Sequence, residues 1–238
     1  MIRTRIVKRF TLPGTIDGHI PVGVTIKITG GDRPFRLTVI TVNWGRGYKP
    51  GEFHDNVMRV LNKVKDLEYV VLLIQELDEA DAAPEHAIFK REMEKGTTLV
   101  QWATREPIAV SPGIRVWRKR KAMTMDQGTA IGAPAGTGPR RYFVSCLTQI
   151  HGVVIGFGNQ HPHRNLSNPK VQDARHEGEA VTRVEVAGML AEGADLVIHG
   201  GDMNDTNYPK VYPREQNLNT RGLDTLRLIK ARKHMRRG

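Results

Sequence analysis

Four apolar runs in this sequence end on polar side chains of the kinds that hold metal ions and move protons. "LTVITVN" ends at Asn43, "VVLLIQE" at Glu76, "VVIGFGNQH" at His161, and "DLVIHGGDMN" at Asp202 and Asn204. Carboxylate, amide and imidazole groups delivered from strand ends can converge on one point, which is where α/β sheets bind ligands. A glutamate with an amide oxygen makes a sparse hard-oxygen site suited to Mg²⁺, with Mn²⁺ the next choice. Such an ion keeps most of its waters and takes further ligands from a phosphate. A nearby aspartate and histidine would supply proton transfer and offset transition-state charge. The chemistry this suits is metal-assisted hydrolysis of a phosphodiester. Each residue also has a bland role: Asn43 as a turn cap, Glu76 as part of the acidic run "ELDEAD", His161 as a loop histidine beside Pro162, and Asp202 with Asn204 as an Asx-turn. Recurrence at four strand ends favours one site over four coincidences.

The elements that must position these residues can be read from periodicity. "VGVTIKITG" alternates apolar and polar residues as a half-buried strand does, "GGDRP" is turn chemistry, and "FRLTVITVNW" reads as a second strand. Phe53, Val57, Val60, Leu61, Val64 and Leu67 recur at helical spacing, which predicts an amphipathic helix over Glu52 to Leu67. "EYVVLLIQE" has the β-branched composition of a central strand buried on both faces. Residues 82–95 read as a helix with Pro84 in its first turn. From Thr97 to Arg118 the pattern is weaker but strand-like, with "PIAV" and "IRVW" divided by "SPG", and "DQGTAIGAPAGTGPRR" is a Gly/Pro-rich loop. "YFVSCLTQI" and "GVVIGFGNQ" form a hairpin turning at His151–Gly152. Val171 to Glu192 is a helix with a stripe of Ala174, Val181, Val184, Ala187 and Met189/Leu190, stopped by Gly193. "ADLVIHGG" and "LDTLRLI" are the last strands. Helices alternate with strands at the two ends and strands crowd the middle, so an α/β arrangement of mixed sheet with helices outside is expected, in one domain over residues 1–238. Residues 1–34 form an N-terminal strand and turn extension, and 227–238 a basic tail.

"TVNWGRG", "LLIQELDEAD", "GNQHPHR" and "GGDMND" resemble, in sequence order, the motifs of the endonuclease/exonuclease/phosphatase superfamily, the deoxyribonuclease I-like enzymes. The resemblance spans about Leu37 to Leu228, and "IQE" and "GGDMND" are its most specific parts. It implies a four-layer α-β-β-α sandwich, two mixed sheets packed face to face with helices outside. It further implies that Glu76 is the main metal ligand, with Asn43 supporting the metal or its water. Asp202 orients or deprotonates the attacking water, Asn204 holds the phosphate, and His161 donates to it. Asp224, in "RGLDTLRLI", matches the aspartate that buttresses a final catalytic histidine. Glu106, in "REP", is expected to orient His161.

The superfamily closes on a Ser-Asp-His tripeptide that this chain lacks. His234 is the one histidine after Asp224. A hairpin through "KARK" would leave it about 16 Å along the strand from Asp224, at ~3.3 Å per residue. Three arrangements are open: another histidine, with His163 the nearest candidate, fills the place; the site works without it; or the scaffold only binds.

Charge points to the substrate. Lys and Arg number 36 against 25 Asp and Glu, a net charge of +11. Such a field attracts polyanions, and nucleic acid, DNA ahead of RNA, is the expected partner. The charge concentrates in "RVWRKRK", whose Arg115, Arg118, Lys119, Arg120 and Lys121 are the candidate backbone-binding residues, and in the tail from Arg227. Trp44 and Trp117 could stack on bases, though buried packing is the commoner role of a tryptophan. Tyr208 and Tyr212 are open between the two. The leading expectation is therefore a Mg²⁺-dependent nuclease-like phosphoric ester hydrolase. Two alternatives share the fold: a phosphatase for phosphorylated inositol or lipid headgroups, and a catalytically impaired module that binds nucleic acid or protein. One cysteine, no apolar leader and no run of about 20 apolar residues fit an intracellular, cytoplasmic protein without a membrane span. Oligomeric state is not legible.

Overall fold

The computed structural model describes residues 1–12, 19–43, 55, 59–60, 62–76, 98–100, 106–123, 141–162, 169–204 and 209–231. Twelve strands and one long helix run through them: β1 Arg3–Thr11, β2 Val22–Thr29, β3 Phe35–Asn43, β4 Tyr69–Gln75, β5 Thr98–Val100, β6 Ile108–Val110, β7 Arg115–Met123, β8 Tyr142–Ile150, β9 Val153–Gln160, α1 Pro169–Ala191, β10 Leu196–Asp202, β11 Gln216–Arg221 and β12 Asp224–Lys230. They form two six-stranded sheets, ordered β1-β2-β3-β4-β6-β5 and β11-β12-β10-β9-β8-β7. Both are mixed: β3 runs parallel to β4 and β9 to β10, and the other pairs are antiparallel. The sheets pack face to face over one apolar core that draws Val24, Leu37 and Leu73 from the first and Phe157, Ile198 and Leu226 from the second. Among the described residues no helix is long and apolar enough to cross a membrane.

Helix α1 covers the outer face of the second sheet, where Val186, Met189 and Leu190 meet Phe143, Leu147, Val197 and Ile229. Its buried stripe differs from the expected one. Val184 is 69% exposed, while Thr182, Val186, Met189 and Leu190 are buried. Thr182 turns inward because its hydroxyl donates to Gln160 Oε1 at 2.6 Å, so a polar bond fixes the helix's rotation where apolar spacing alone misplaced it. The His151–Gly152 hairpin has positive φ at both positions, 46° and 75°, the pattern of a two-residue primed turn. The helix expected over 52–67 is helical at residues 55, 59–60 and 62–64 but stops there: 65–68 form a turn and bend, and Leu67 is exposed rather than part of a buried stripe. The 82–95 helix and most of the 126–141 loop lie outside the described residues. β1 and β11 were not read as strands, whereas β5 falls inside the strand-like stretch 97–118. β1 and β2 are part of the first sheet rather than an appendage to it.

Strand direction puts Asn43, Glu76, His161, Asp202, Asn204 and Asp224 at one end. β3, β4, β9 and β10 finish there, and β2, β8 and β12 begin there. Side chains alternate along a strand, so every second residue faces the opposite sheet. Those inner rows run apolar and then turn polar in their last layer: Leu37, Val39, Thr41, Asn43; Val71, Leu73, Gln75; Ile155, Phe157, Asn159; Ile198, Gly200, Asp202; and Leu228, Leu226, Asp224. The sandwich therefore has an oily body and a polar mouth.

The two glycines before Asp202 exist because β10 is squeezed between β9 and β12. A Cβ at Gly201 would lie 1.9 Å from the Gln160 carbonyl oxygen, and its φ of +140° strains any L side chain. Backbone strain and overpacking together predict that Gly201→Ala costs about 2–4 kcal/mol. Urea unfolding should show this as a lower midpoint with an unchanged slope; a wild-type midpoint would refute the crowding.

Candidate active site

At the mouth the two sheets are joined by buried amides. Gln75 Nε2 donates to Asn159 Oδ1 at 2.6 Å across the gap, and Thr41 Oγ1 donates to Gln75 Oε1 at 3.1 Å. Asn159 Nδ2 donates to the carbonyls of Ile74 (2.6 Å) and Pro107 (2.9 Å). Asn43 Nδ2 donates to Asp202 Oδ2 at 2.8 Å, a second link between the sheets. Sequence reading passed over Gln75 and Asn159, although both sit inside the quoted motifs. The signal was parity, since each lies two residues beyond a core side chain on the same face.

Above this layer the chemical groups converge. β4 ends as Glu76 takes a left-handed φ of 57°, and Asn204 does the same at 51° after β10. Left-handed non-glycine residues are uncommon and gather at functional sites. His161, buried at the end of β9, places Nε2 at 3.2 Å from Asp202 Oδ2 and 3.4 Å from Glu76 Oε1. Asp202 Oδ1 accepts the Asn204 N–H at 2.8 Å, and Asn204 Nδ2 donates to the Pro162 carbonyl at 2.8 Å. Arg141 clamps the His161 carbonyl at 3.0 Å. Burial, with the Arg141 charge adding, holds His161 below the ordinary imidazole range, so at neutral pH the neutral ring donates its Nε2–H to Asp202. Burial pushes the Asp202 carboxyl up, but the His161 hydrogen bond, the Asn204 N–H and the charge of His19 outweigh it and hold it at about 2.

His163 and His234 lie outside the described residues; among those described, one histidine stands beside Asp224. It is His19. Its Nδ1 lies 3.3 Å from Asp224 Oδ2 and its Nε2 3.7 Å from Asp202 Oδ2. The Asp224 hydrogen bond raises the His19 pKa against its partial burial, with Asp202 adding. Burial, opposed by the His19 bond and aided by Asp202, lifts Asp224 to about 6. No local motif announces His19; only the pairing of β1 with β2 brings residue 19 to the mouth.

The remaining candidates divide. Glu106 is buried directly before Pro107, whose carbonyl also accepts the Ile74 N–H at 3.1 Å, which sets it at the mouth end of β4. "RVWRKRK" splits between two faces of edge strand β7. Arg118 is buried on the α1 side, 2.8 Å from Glu192 and 3.5 Å from Glu185, and Arg120 lies 3.3 Å from Glu192. Arg118 is thereby held in a structural pair rather than being an open phosphate ligand, whereas Arg120 stays 54% exposed beside its glutamate. Arg115, Lys119 and Lys121 are exposed. Lys121 lies in register with Val144 and, one strand further, with Asn159, so it flanks the mouth. Arg227 is a second correction: it is buried in β12, bound to Glu215 at 3.0 Å. Trp117 is 48% exposed on β7, whereas Tyr212 packs into the α1 cluster. Trp44, Tyr208 and tail residues 232–238 lie outside the described residues.

Among the described residues no group of three His, Cys, Asp or Glu side chains could by itself hold a metal ion. The donor set is one outward carboxylate, Glu76 at 22% exposure, with Asn43 in register with the adjoining Gln75. This does not fit a zinc cage of protein ligands, but it does fit Mg²⁺, which completes its shell with water and phosphate.

No family model and no curated protein matches the sequence. Solved structures do. TDP2 from Caenorhabditis elegans superposes with a TM-score of 0.54 at 16% identity, covering 82% of this chain and 64% of that one. A second TDP2 chain from the same worm is spanned over 58% of its length. An endonuclease/exonuclease/phosphatase from Bacteroides vulgatus matches with a TM-score of 0.53 and 12% identity over 80% and 85% of the two chains. A mannosyl-6-phosphatase from Bacteroides thetaiotaomicron matches at 0.54 and 10% identity over 80% and 84%. The chain has the endonuclease/exonuclease/phosphatase superfamily fold.

The charge state of Asp202 can be read from stability. Its folded pKa of about 2 lies below the ordinary 3.8, so its contribution is full above about pH 4 and fades as pH falls through 2. Comparing metal-free wild type with Asp202→Asn by urea unfolding, the difference should shrink by about 2 kcal/mol between pH 5 and pH 2. A constant difference would mean that the carboxylate is not held ionised.

Proposed function

We propose that this chain is a divalent-metal-dependent phosphodiesterase acting on nucleic acid. One observation carries the reading: Glu76 from the first sheet and Asp202 from the second both meet His161 Nε2, at 3.4 and 3.2 Å, in one mouth. Glu76 and Asn43 are the residues that would hold Mg²⁺. Bound there, the ion would polarise a phosphoryl oxygen and offset charge developing on the ester.

The chain's own groups do the rest. Asp202 accepts hydrogen bonds from Asn43, His161 and the Asn204 N–H, which fixes its carboxylate rigidly. A carboxylate at about 2 is a weak base, so Asp202 orients the water more than it deprotonates it. Asn204 spends one amide hydrogen on Pro162 and retains a second for a phosphoryl oxygen. Water attacks phosphorus, the ester P–O bond opposite breaks, and the products are an alcohol and a phosphate monoester. Lys119 and Lys121 lie in the exposed row leading away from the mouth, where they would meet neighbouring phosphates of a chain substrate.

The competing reading, a phosphatase for a small phosphorylated alcohol, draws on the mannosyl-6-phosphatase likeness. The basic row beside the mouth favours a polymer. Supercoiled plasmid with Mg²⁺ or Mn²⁺ should be nicked by wild type. Glu76→Gln and Asp202→Asn should each slow nicking by about 10²–10⁴-fold. Full-rate nicking by both variants would defeat the proposal. In a separate measurement, Lys119→Ala with Lys121→Ala should lower the slope of log affinity for DNA against log salt by about two. An unchanged slope would remove β7 from the interface.

A further inference from the structure

Building on the phosphodiesterase reading, we propose that His19 is a catalytic residue: the β1–β2 connection delivers its imidazole so that Nδ1 is anchored by Asp224 and Nε2–H donates to a phosphoryl oxygen of the bound ester. The role expected of a C-terminal histidine is thereby filled from the other end of the chain.

The geometry has three parts. First, residue 19 is fixed at the mouth. β1 pairs with β2 up to Thr11↔Val22, and the Leu12 N–H bonds the Pro21 carbonyl at 3.0 Å, closing the root of the connection two residues from His19. Second, that hairpin is tied to the opposite sheet. Asn219 on β11 donates to the carbonyls of Gly23 (2.7 Å) and Phe10 (3.3 Å), and Arg9 donates to that of Leu218. His19 is therefore held against both sheets. Third, its ring sits between two buried carboxylates, Asp224 at 3.3 Å from Nδ1 and Asp202 at 3.7 Å from Nε2, while remaining 20% exposed. A histidine kept only to neutralise Asp224 needs neither that exposure nor a second nitrogen turned toward the carboxylate that holds the water.

The chemistry needs no net proton from His19. Water adds to phosphorus, the ester oxygen departs with the bonding pair and takes a proton originating from that water, and Nε2–H stabilises the phosphoryl charge throughout. Asp224 fixes the tautomer and orientation and is a positioning residue.

Plasmid nicking and hydrolysis of bis(p-nitrophenyl) phosphate should be measured for wild type, His19→Ala, His19→Gln and Asp224→Asn, with thermal melting of each. His19→Ala should lose about 10²–10³-fold in kcat with KM changed only a few-fold. His19→Gln, which keeps a donor and most of the volume, should melt like wild type and lie in between. The double variant His19→Ala/Asp224→Asn should be no slower than His19→Ala by more than about threefold, because the pair acts as a unit. Independently of turnover, ¹⁵N imidazole spectra of the metal-free protein should show the His19 Nε2 signal moving on addition of inorganic phosphate. Wild-type turnover matched by His19→Ala would overturn the assignment and leave the phosphodiesterase reading standing. Absent wild-type turnover, with His19 still responding to phosphate, would sink that reading and keep His19 as an anion donor. A His19 signal indifferent to phosphate would overturn the assignment whichever way turnover falls.

Discussion

Everything at the mouth depends on burying a layer of polar side chains between two sheets without leaving them unpaired. An amide or carboxylate stranded there costs about 1–3 kcal/mol, more if charged. Gln75, Asn159, Thr41, Asn43 and Asp202 avoid this by bonding one another and two backbone carbonyls across the gap. Such bonds are directional where the apolar body below is not. The core holds the sheets together, and the polar layer fixes their register to within a hydrogen bond. Glu76, His161 and Asp202 inherit that precision because each stands on or directly beside a residue of the layer. Preorganisation here is a by-product of satisfying buried donors.

The same burial separates the electrostatics of two neighbouring carboxylates. Asp202 has three donors and stays ionised; Asp224 has His19, and its other oxygen Oδ1 is buried without a hydrogen bond among the described residues. One is pulled to about 2 and the other lifted to about 6. The histidines diverge in parallel: His161, fully enclosed, is held below its ordinary range, and His19, nearer solvent and facing Asp224, is held above it. The mouth thus sets a histidine whose neutral form is favoured and one whose protonated form is favoured on either side of one fixed carboxylate. Divergent pKa values among adjacent groups are a signature of assigned acid and base roles.

How much of this was legible follows from what each signal measures. The strands ending at Asn43, Glu76, His161 and Asp202 were readable because buried strands are uniformly apolar, so polar ends stand out. β1 and β11 were not: "RTRIVKRFT" and "QNLNTR" are edge strands, and an edge needs only one partner and little apolar content. Missing β1 hid His19, whose place is set by a pairing rather than by a motif. Arg118 and Arg227 were misassigned for a related reason. Counting charge along a segment cannot show that α1 glutamates or Glu215 already face it. Val184 failed likewise, displaced from the core stripe by Thr182's bond to Gln160.

On the proposed phosphodiesterase reading, a basic protein with an acidic centre poses an apparent conflict, since the carboxylates proposed to organise catalysis would also repel a phosphate. Two features answer it. Asp202's negative charge is spread into hydrogen bonds from Asn43, His161 and Asn204, which leaves less field facing outward than a bare carboxylate would. The field that reaches solvent is set by the surplus of cations, a net +11 not cancelled by the pairs on α1. On that phosphodiesterase reading, a polyanion would be drawn in by long-range charge and handled at short range by donors. The two scales are built from different parts of the chain: exposed lysines on an edge strand that could vary freely, and buried acids that cannot move without opening the polar layer. On the same reading, specificity for a particular phosphate chain would evolve on β7 while the mouth is held constant by its own hydrogen bonds.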